Sequence, residues 1–277
     1  MAQKQKSKTR IRRKAKAGAA GPGRNRPARP PADSLWLYGR HAVAAALSNS
    51  ERPLRRVLAT QSALDFLSGT PAPKALLSKI SPVAPHEIDA ALPAGAVHQG
   101  LAAEVDDLPR ARLRDVCADP APGDLVAVLD QITDPHNIGA VIRSAAAFGA
   151  RAVIVQDRRT PRADGALAKA AAGALEIVPL IRVVNIARAL EGLQGLGWHC
   201  AGLAGAASDA MSDLPADNAA AIVLGAEGAG LRQLVATTCD RLYHIPIAAG
   251  VESLNVSNAA AIAFYETARR QNQAAKL

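Results

Sequence analysis

Polar side chains and glycines gather in three stretches of the carboxy-terminal half, each placed where an apolar run ends. The first is DPHNIGAVIRSAAAFGA, residues 134–150. Asp134-Pro135 turns the chain, and Asn137 is placed to cap the helix that follows. Gly139 permits close approach of another backbone. Arg143 sits among Val141, Ile142, Ala145 and Ala146, so its charge needs an anionic partner or a wet cleft. The second stretch is IVLGAEGAGL, residues 222–231, with glycines at 225, 228 and 230. The order is GxxGxG, not GxGxxG, and no Lys-Ser or Lys-Thr follows, so neither a dinucleotide fingerprint nor a P-loop is present. Such glycines let the backbone pack against a flat ligand such as an adenine. A tight strand–helix turn, with Glu227 facing a helix N-terminus, is the plainer alternative. The third is YHIPIAAGVESLNVSNAAAIAFYE, residues 243–266. Its Ser253, Asn255, Ser257 and Asn258 are more than one helix cap requires, and they offer donors and acceptors to a cofactor and to a sugar hydroxyl.

The elements that must position these groups follow from hydrophobic periodicity. In the first half, strands are expected at Leu35–Tyr38, Arg56–Ala59 and Leu101–Val105. Helices are expected at Arg40–Leu47, Ser62–Leu67 and His86–Leu92. That alternation predicts a small α/β domain. Residues 106–123, with Pro109, Pro120, Pro122 and Gly123, read as a linker. In the second half, strands are expected at Leu125–Leu129, Ala152–Val155, Ile177–Val183, Trp198–Leu203, Ala220–Leu224 and Leu242–Ile247. Helices are expected at Ile138–Phe148, Asp164–Ala172, Asn185–Leu193, Leu231–Thr238 and Val256–Gln271. Apolar strands alternating with helices predict a mostly parallel sheet covered on both faces. In such sheets ligands bind beyond the carboxyl ends of the strands, which is where all three polar stretches fall.

Composition bounds the rest. The chain has 277 residues, 49% hydrophobic and only 3% aromatic, so its core is built from Ala, Val, Leu and Ile. No apolar run approaches the ~20 residues of a membrane span, and MAQKQKSKTR lacks the apolar region of a secretory signal. The net charge of +9 is concentrated: residues 1–31 hold eleven Lys or Arg and no acid, which leaves 22 basic against 24 acidic residues elsewhere. Residues 1–33 are therefore expected to be a disordered basic tail, attracted to nucleic-acid phosphates or merely solubilising. Cys117, Cys200 and Cys239 show no metal-ligand spacing with the His residues and read as reduced, mostly buried thiols.

Taken together, DPHNIGAVIRSA, VLGAEGAGL and the closing IPI and VESLNVSNA segments resemble the three motifs of the SpoU/TrmH family of RNA ribose 2′-O-methyltransferases, over roughly residues 124–270. Tyr38-Gly39-Arg40-His41-Ala42-Val43 and the small domain after it resemble that family's RNA-binding domain, which is similar to ribosomal protein L30e. With KAAAGALEIVPLIRVVN, residues 169–185, the likeness is greatest to the branch that methylates a guanosine of 23S ribosomal RNA. The chain departs from that pattern at Asn258, where a small apolar residue is more usual, and at Ala172, where Ser or Cys is.

The resemblance implies an α/β SPOUT-type methyltransferase domain with a trefoil knot (residues about 220–265), within residues 124–277. An L30e-like substrate-binding domain at 34–107, a linker at 108–123 and the tail complete the chain. It implies S-adenosylmethionine as methyl donor, no metal, ribosomal RNA or alternatively transfer RNA as partner, and a cytoplasmic homodimer with residues 256–271 in its interface. Leu224, Gly225, Gly228, Ile245, Ile247, Ser253 and Leu254 would line the donor pocket. Asn137, Arg143, Glu227, Ser253 and Asn255 would form the polar catalytic set, and Arg40, His41, Arg143 and Lys169 would meet RNA. The chemistry is in-line displacement, with the hydroxyl oxygen ~3–3.5 Å from the methyl carbon. A guanidinium hardly deprotonates, so Arg143 is better cast as a phosphate clamp that stabilises the developing alkoxide, with the RNA phosphate or Ser253 passing the proton on. Two rivals predict other features. A non-catalytic ribosome-assembly factor on this fold predicts a degraded polar set. A nucleotide-dependent oxidoreductase predicts GxGxxG with an acidic residue some 20 positions on, which is not found.

Overall fold

The computed structural model describes residues 35–163 and 165–274; the expectation of a disordered tail at 1–33 lies outside them. The first half contains β1 (Leu35–Tyr38), α1 (Arg40–Ser48), β2 (Leu54–Ala59), α2 (Gln61–Ser68), α3 (Lys74–Leu77), α4 (Pro85–Ala91) and β3 (Leu101–Val105). Its three strands pair antiparallel in the order β1-β3-β2. The second half contains α5 (Leu113–Val116), β4 (Leu125–Leu129), α6 (Pro135–Ala147), β5 (Ala152–Gln156), α7 (Gly165–Ala171), β6 (Leu180–Val183), α8 (Ile186–Gln194) and β7 (His199–Leu203). It continues with β8 (Asp209–Ala210), β9 (Ala220–Leu224), α9 (Gln233–Thr238), β10 (Arg241–His244) and α10 (Val256–Ala274). These strands form one seven-stranded parallel sheet in the order β6-β5-β4-β9-β7-β10-β8.

The period of two along the strands sorts side chains to two cores. Leu125, Ala127 and Leu129 of β4 and Ile222 and Leu224 of β9 face Ile138, Val141 and Ile142 of α6 and Phe264 of α10. Val126 and Val128, with Ala221 and Val223, face the other way against Ile186, Leu190 and Leu193 of α8 and Val235 of α9. Burying both faces is what a continuous apolar strand such as LVAVL requires. Each fully buried Val, Leu or Ile there contributes roughly 1.5–3 kcal/mol. With few aromatics to fill space, backbones come close. A Cβ on Gly139 would lie 2.5 Å from Ala170 Cβ and 2.7 Å from the Leu167 carbonyl oxygen, so α6 and α7 touch there through the missing side chain.

Several element expectations need correction. Asp134, not Asn137, caps α6: its carboxylate accepts from the His136 and Asn137 amides. The strand expected at Ile177–Val183 begins only at Leu180, after a 3-10 turn at Ala174–Glu176. Pro179 has no N–H to pair; its carbonyl accepts from Val153. The strand expected to run to Ile247 stops at His244, and the helix expected from Leu231 starts at Gln233 because Arg232 is extended (ψ 146°). Residues 108–123 are not a bare linker. They carry α5, the Cys117 carbonyl accepts from Trp198 Nε1 at 2.8 Å, and Arg151 donates to the Ala118 carbonyl at 2.9 Å. The short elements α3, α5 and β8 have no periodic signal and were not expected. Cys117 and Cys200 are buried and Cys239 half-buried, all as free thiols. Burial pushes the Cys117 thiol up to about 11 and Cys239 up to about 12.

Candidate active site

The site lies beyond the carboxyl ends of β9, β10 and β7. At the end of β9 the chain reaches Gly225 and must fold back on itself within a few residues. A Cβ on Gly225 would lie 2.2 Å from the Gly230 carbonyl carbon and 2.4 Å from the Leu231 nitrogen, so only glycine fits there. Gly228 and Gly230 take left-handed φ values of 77° and 66°, which they adopt without the penalty other residues meet. The turn closes with Gly230 N–H donating to the Ala226 carbonyl at 2.8 Å.

This turn is one wall of a cleft of about 340 Å³, within the roughly 300–1,000 Å³ of small-ligand sites. All seven residues expected to line a donor pocket line this cleft: Leu224, Gly225, Gly228, Ile245, Ile247, Ser253 and Leu254. Sequence reasoning missed Leu203, Ala204, Tyr243, Glu252 and Val256, which line it too. Ending β10 at His244 frees Ile245 and Ile247 to face the cleft instead of the sheet. The walls are largely apolar side chains and main chain, which suits a flat heteroaromatic group held by backbone hydrogen bonds. Among the described residues no cluster of His, Cys, Asp or Glu could hold a metal ion.

Three of the five expected polar residues are joined at the mouth. Glu227 Oε1 accepts from Asn255 Nδ2 at 2.6 Å, from Asn137 Nδ2 at 3.3 Å and from the Val256 amide at 3.3 Å. Asn255 Nδ2 also donates to Asn137 Oδ1 at 3.1 Å. Residues from three stretches, the outer two 118 positions apart, therefore meet in one network. Glu227 serves a helix N-terminus, as the plainer alternative held, but it is that of α10, not α9. Asn255 Oδ1 accepts from the Ser257 amide at 3.0 Å and from Ser257 Oγ at 2.5 Å, so capping accounts for two of the four small polar groups there. Ser253 is exposed on the cleft wall. Arg143 lies farther along α6, exposed, with no hydrogen bond or ion pair among the described residues.

The remaining expected contacts sit elsewhere. Arg40 and His41 open α1, beside Phe66, with the Arg40 guanidinium 5.4 Å from the ring centroid and His41 edge-on at 5.8 Å. Lys169 projects from α7 toward Gly39.

One strong feature of the site had no expected role. Asp130 follows β4 and is fully buried; its carboxylate takes the Arg232 guanidinium at 2.6 Å and 2.9 Å and the Arg232 amide at 3.0 Å. This pins the far end of the glycine turn to the neighbouring strand. The only signal in the sequence was an acid closing an apolar strand.

With this geometry in hand, comparison with known proteins is informative. The SpoU rRNA Methylase family model matches residues 124–265, and the model described as RNA 2′-O ribose methyltransferase substrate binding matches residues 36–111. A relative from Coxiella burnetii, described as 23S rRNA (guanosine-2′-O-)-methyltransferase RlmB, is 36% identical over 240 residues, 85% of this chain and 95% of its own. One of the same description from a Burkholderia species is 44% identical over 175 residues, 63% and 71% of the two chains. Among solved structures, the SpoU methyltransferase AviRb from Streptomyces viridochromogenes in complex with AdoMet superposes with a TM-score of 0.71 at 24% identity, over 87% of this chain and 91% of that one. An rRNA methyltransferase from Sinorhizobium meliloti gives 0.67 at 22%, over 86% and 87%.

Proposed function

From the premise that the chain belongs to the SpoU rRNA methylase family, we propose that it transfers a methyl group from S-adenosylmethionine to the ribose 2′-hydroxyl of a guanosine in 23S ribosomal RNA. The observation that carries this reading is the Asn137–Glu227–Asn255 network at the mouth of the cleft. A binding protein on the same fold would have no need to hold three distant polar groups in one arrangement. When bound, the donor supplies an activated methyl carbon on a sulfonium.

The residues of the chain do the rest. The turn at Gly225–Gly230 and the segment Ile245–Leu254 hold the adenosyl end by shape and main-chain hydrogen bonds. Glu227 fixes the Asn137 and Asn255 amides, leaving them to orient the ribose. Arg143, with no partner among the described residues, clamps an RNA phosphate and favours the alkoxide as the hydroxyl loses its proton. Ser253 Oγ, on the cleft wall, relays that proton to an RNA phosphate oxygen or to water, giving up its own hydroxyl proton as it accepts the ribose one. No metal takes part.

The same reading assigns Arg40, His41 and Lys169 to the RNA and divides the chain into a substrate-binding domain at 34–107 and a methyltransferase domain at 124–277. It takes residues 220–265 as a trefoil knot, supported by the backbone contact of Gly225 with Gly230 and by the Glu227 bond to the start of α10. A homodimer through α10 is supported by Ile262 and Tyr265, 42% and 55% exposed on that helix. Among the described residues no helix is long and apolar enough to cross a membrane; a ribosomal RNA substrate supports a cytoplasmic place of action.

The test is to incubate the purified chain with S-adenosylmethionine and a 23S rRNA transcript and to map ribose methylation by reverse-transcription stops at low nucleotide concentration. One methylated guanosine is expected. Methylation of transfer RNA alone, or donor binding without transfer to any RNA, would overturn the reading.

A further inference from the structure

The turn after β10 sets one acid apart from every other group in the cleft. Gly250 takes a left-handed φ of 94°, and the Val251 amide donates to the Ala248 carbonyl at 3.3 Å. The chain reverses there and brings Glu252 and Ser253 onto the cleft wall. Two carboxylates line the cleft, Glu227 and Glu252, and no Lys, Arg or His does.

The two acids are placed differently. Glu227 Oε1 accepts from the side-chain amides of Asn255 and Asn137 and from the main-chain amide of Val256. It sits at the N-terminus of the 19-residue α10, where the helix dipole favours a negative charge. Glu252 is exposed and has no hydrogen bond or ion pair among the described residues. The cleft is therefore negative, and the charge that nothing offsets is that of Glu252. A ligand gains most there if it brings a positive charge.

The proposed donor and its product differ in that respect. Methyl transfer breaks a carbon–sulfur bond, leaves the electron pair on sulfur and turns a sulfonium into a neutral thioether, while the ribose proton leaves to a phosphate oxygen or to water. The adenosyl group, the α-ammonium and the carboxylate are common to both molecules. The apolar walls and the main-chain groups of the Gly225–Gly230 turn meet only those common parts. The methyl group and the charge are all that tells one from the other.

We propose that Glu252 is a specificity-determining residue of the cleft: its carboxylate answers the positive charge on sulfur, so the cleft prefers the donor to the demethylated thioether and lets the latter go after transfer. The proposal rests on the methyl-transfer reading above.

The test is calorimetry on the full chain without RNA, comparing the native protein with Glu252→Gln and Glu252→Asp. Three probes are titrated: S-adenosylmethionine, S-adenosylhomocysteine (the neutral thioether) and sinefungin, which carries an ammonium on carbon in place of the sulfonium. Glu252→Gln keeps the size of the side chain and breaks no bond among the described residues. It is expected to weaken S-adenosylmethionine and sinefungin about three- to tenfold and to leave S-adenosylhomocysteine within about twofold. Glu252→Asp keeps the charge and should recover most of the loss. The native preference for S-adenosylmethionine over S-adenosylhomocysteine should also shrink as salt rises, a measure that needs no variant. Equal weakening of all three probes would assign the carboxylate to the α-ammonium they share, and unchanged affinities would place it outside the site; either result overturns the proposal. A native chain that shows the charge preference but methylates no RNA would sink the proposed reaction and leave the role of Glu252 standing. A native chain that binds none of the three would sink both.

Discussion

Asp130 and Arg232 are joined by side-chain bonds of 2.6 Å, 2.9 Å and 3.2 Å and by a fourth bond, at 3.0 Å, from the Arg232 amide. The acid is completely buried, whereas the guanidinium is 38% exposed. The pair fastens the end of β4 to the chain that leaves the glycine turn, and so sets where one wall of the cleft stands. Asp130→Ala strands the Arg232 amide and half of a charge pair. With the exposed guanidinium discounted, a loss of about 2–4 kcal/mol is expected in denaturant titration. S-adenosylmethionine affinity should fall with it. Unchanged affinity in the folded variant would mean that the turn holds its shape without the pair.

Gly225→Ala tests the turn directly. The added carbon would meet backbone atoms of Gly230 and Leu231 at 2.2–2.4 Å, and backbone cannot rotate away as a side chain can. Overpacking of this kind costs about 1–3 kcal/mol or more, and here the strain falls on the wall of the cleft. Calorimetry should show donor binding weakened well beyond tenfold. Gly228→Ala meets no atom within 4 Å and suffers only its left-handed φ of 77°, so it should be clearly the milder of the two.

What the sequence disclosed, and what it hid, divide along physical lines. Continuous apolar runs such as LVAVL and AAIVL marked β4 and β9 to the residue, because a strand buried on both faces has no polar alternative. All seven expected donor-wall residues line the cleft, since glycines and small polar groups at strand ends leave a signature independent of packing. From its residues alone Asn137 reads as a cap, because nothing local shows that Asp134 already serves α6. Its freedom to reach Glu227, 90 residues away, is a tertiary fact. Asp130 and the Arg52–Glu176 pair were illegible for the same reason: each partner is an ordinary charged residue until the fold buries it against the other.

Glu227 gathers three donors on one oxygen, so shape and charge can be separated. Glu227→Gln keeps a carbonyl oxygen where Asn255 and the Val256 amide need one. Glu227→Ala removes it, leaves Asn137 and Asn255 held only by each other and by Ser257, and uncovers the start of α10. Misplacement of orienting groups by about 1 Å costs roughly 10²-fold. The Ala variant is therefore expected to lose about that factor in kcat with donor affinity little changed, and the Gln variant less than tenfold. Equal losses in single-turnover assays would show that the negative charge itself matters.

His199 gives the fold an acid limit. Its ring, on β7, lies 3.1 Å from the hydroxyl of Tyr243 on β10, a tyrosine that lines the cleft. Burial lowers its pKa below the ordinary 6.5; Asp240 opposes this and Arg241 adds to it. The folded chain thus resists a proton that the unfolded chain accepts. Stability from this residue is complete above about pH 6.5 and falls as pH drops toward the lower folded-state value, where the loss levels off. Urea midpoints measured between pH 7.5 and 5 should fall more for the native chain than for His199→Gln. Parallel curves would remove His199 as the cause.

Arg143 is exposed on a helix whose other face is packed, and no side chain among the described residues neutralises it. Its removal should therefore leave stability within about 0.5 kcal/mol, which makes it a clean probe of chemistry. If the guanidinium clamps a phosphate and steadies the forming alkoxide, Arg143→Ala should lower kcat/KM for RNA by about 10²–10³-fold and leave S-adenosylmethionine binding intact. Arg143→Lys restores the charge but not the planar pair of donors that matches a phosphate, so it should recover less than a tenth of the loss. The decisive measurement is single-turnover methylation with saturating RNA. There a residue that only attracts RNA would be dispensable, and a near-normal rate for Arg143→Ala would move the stabilisation of the alkoxide to the Asn137–Glu227–Asn255 network.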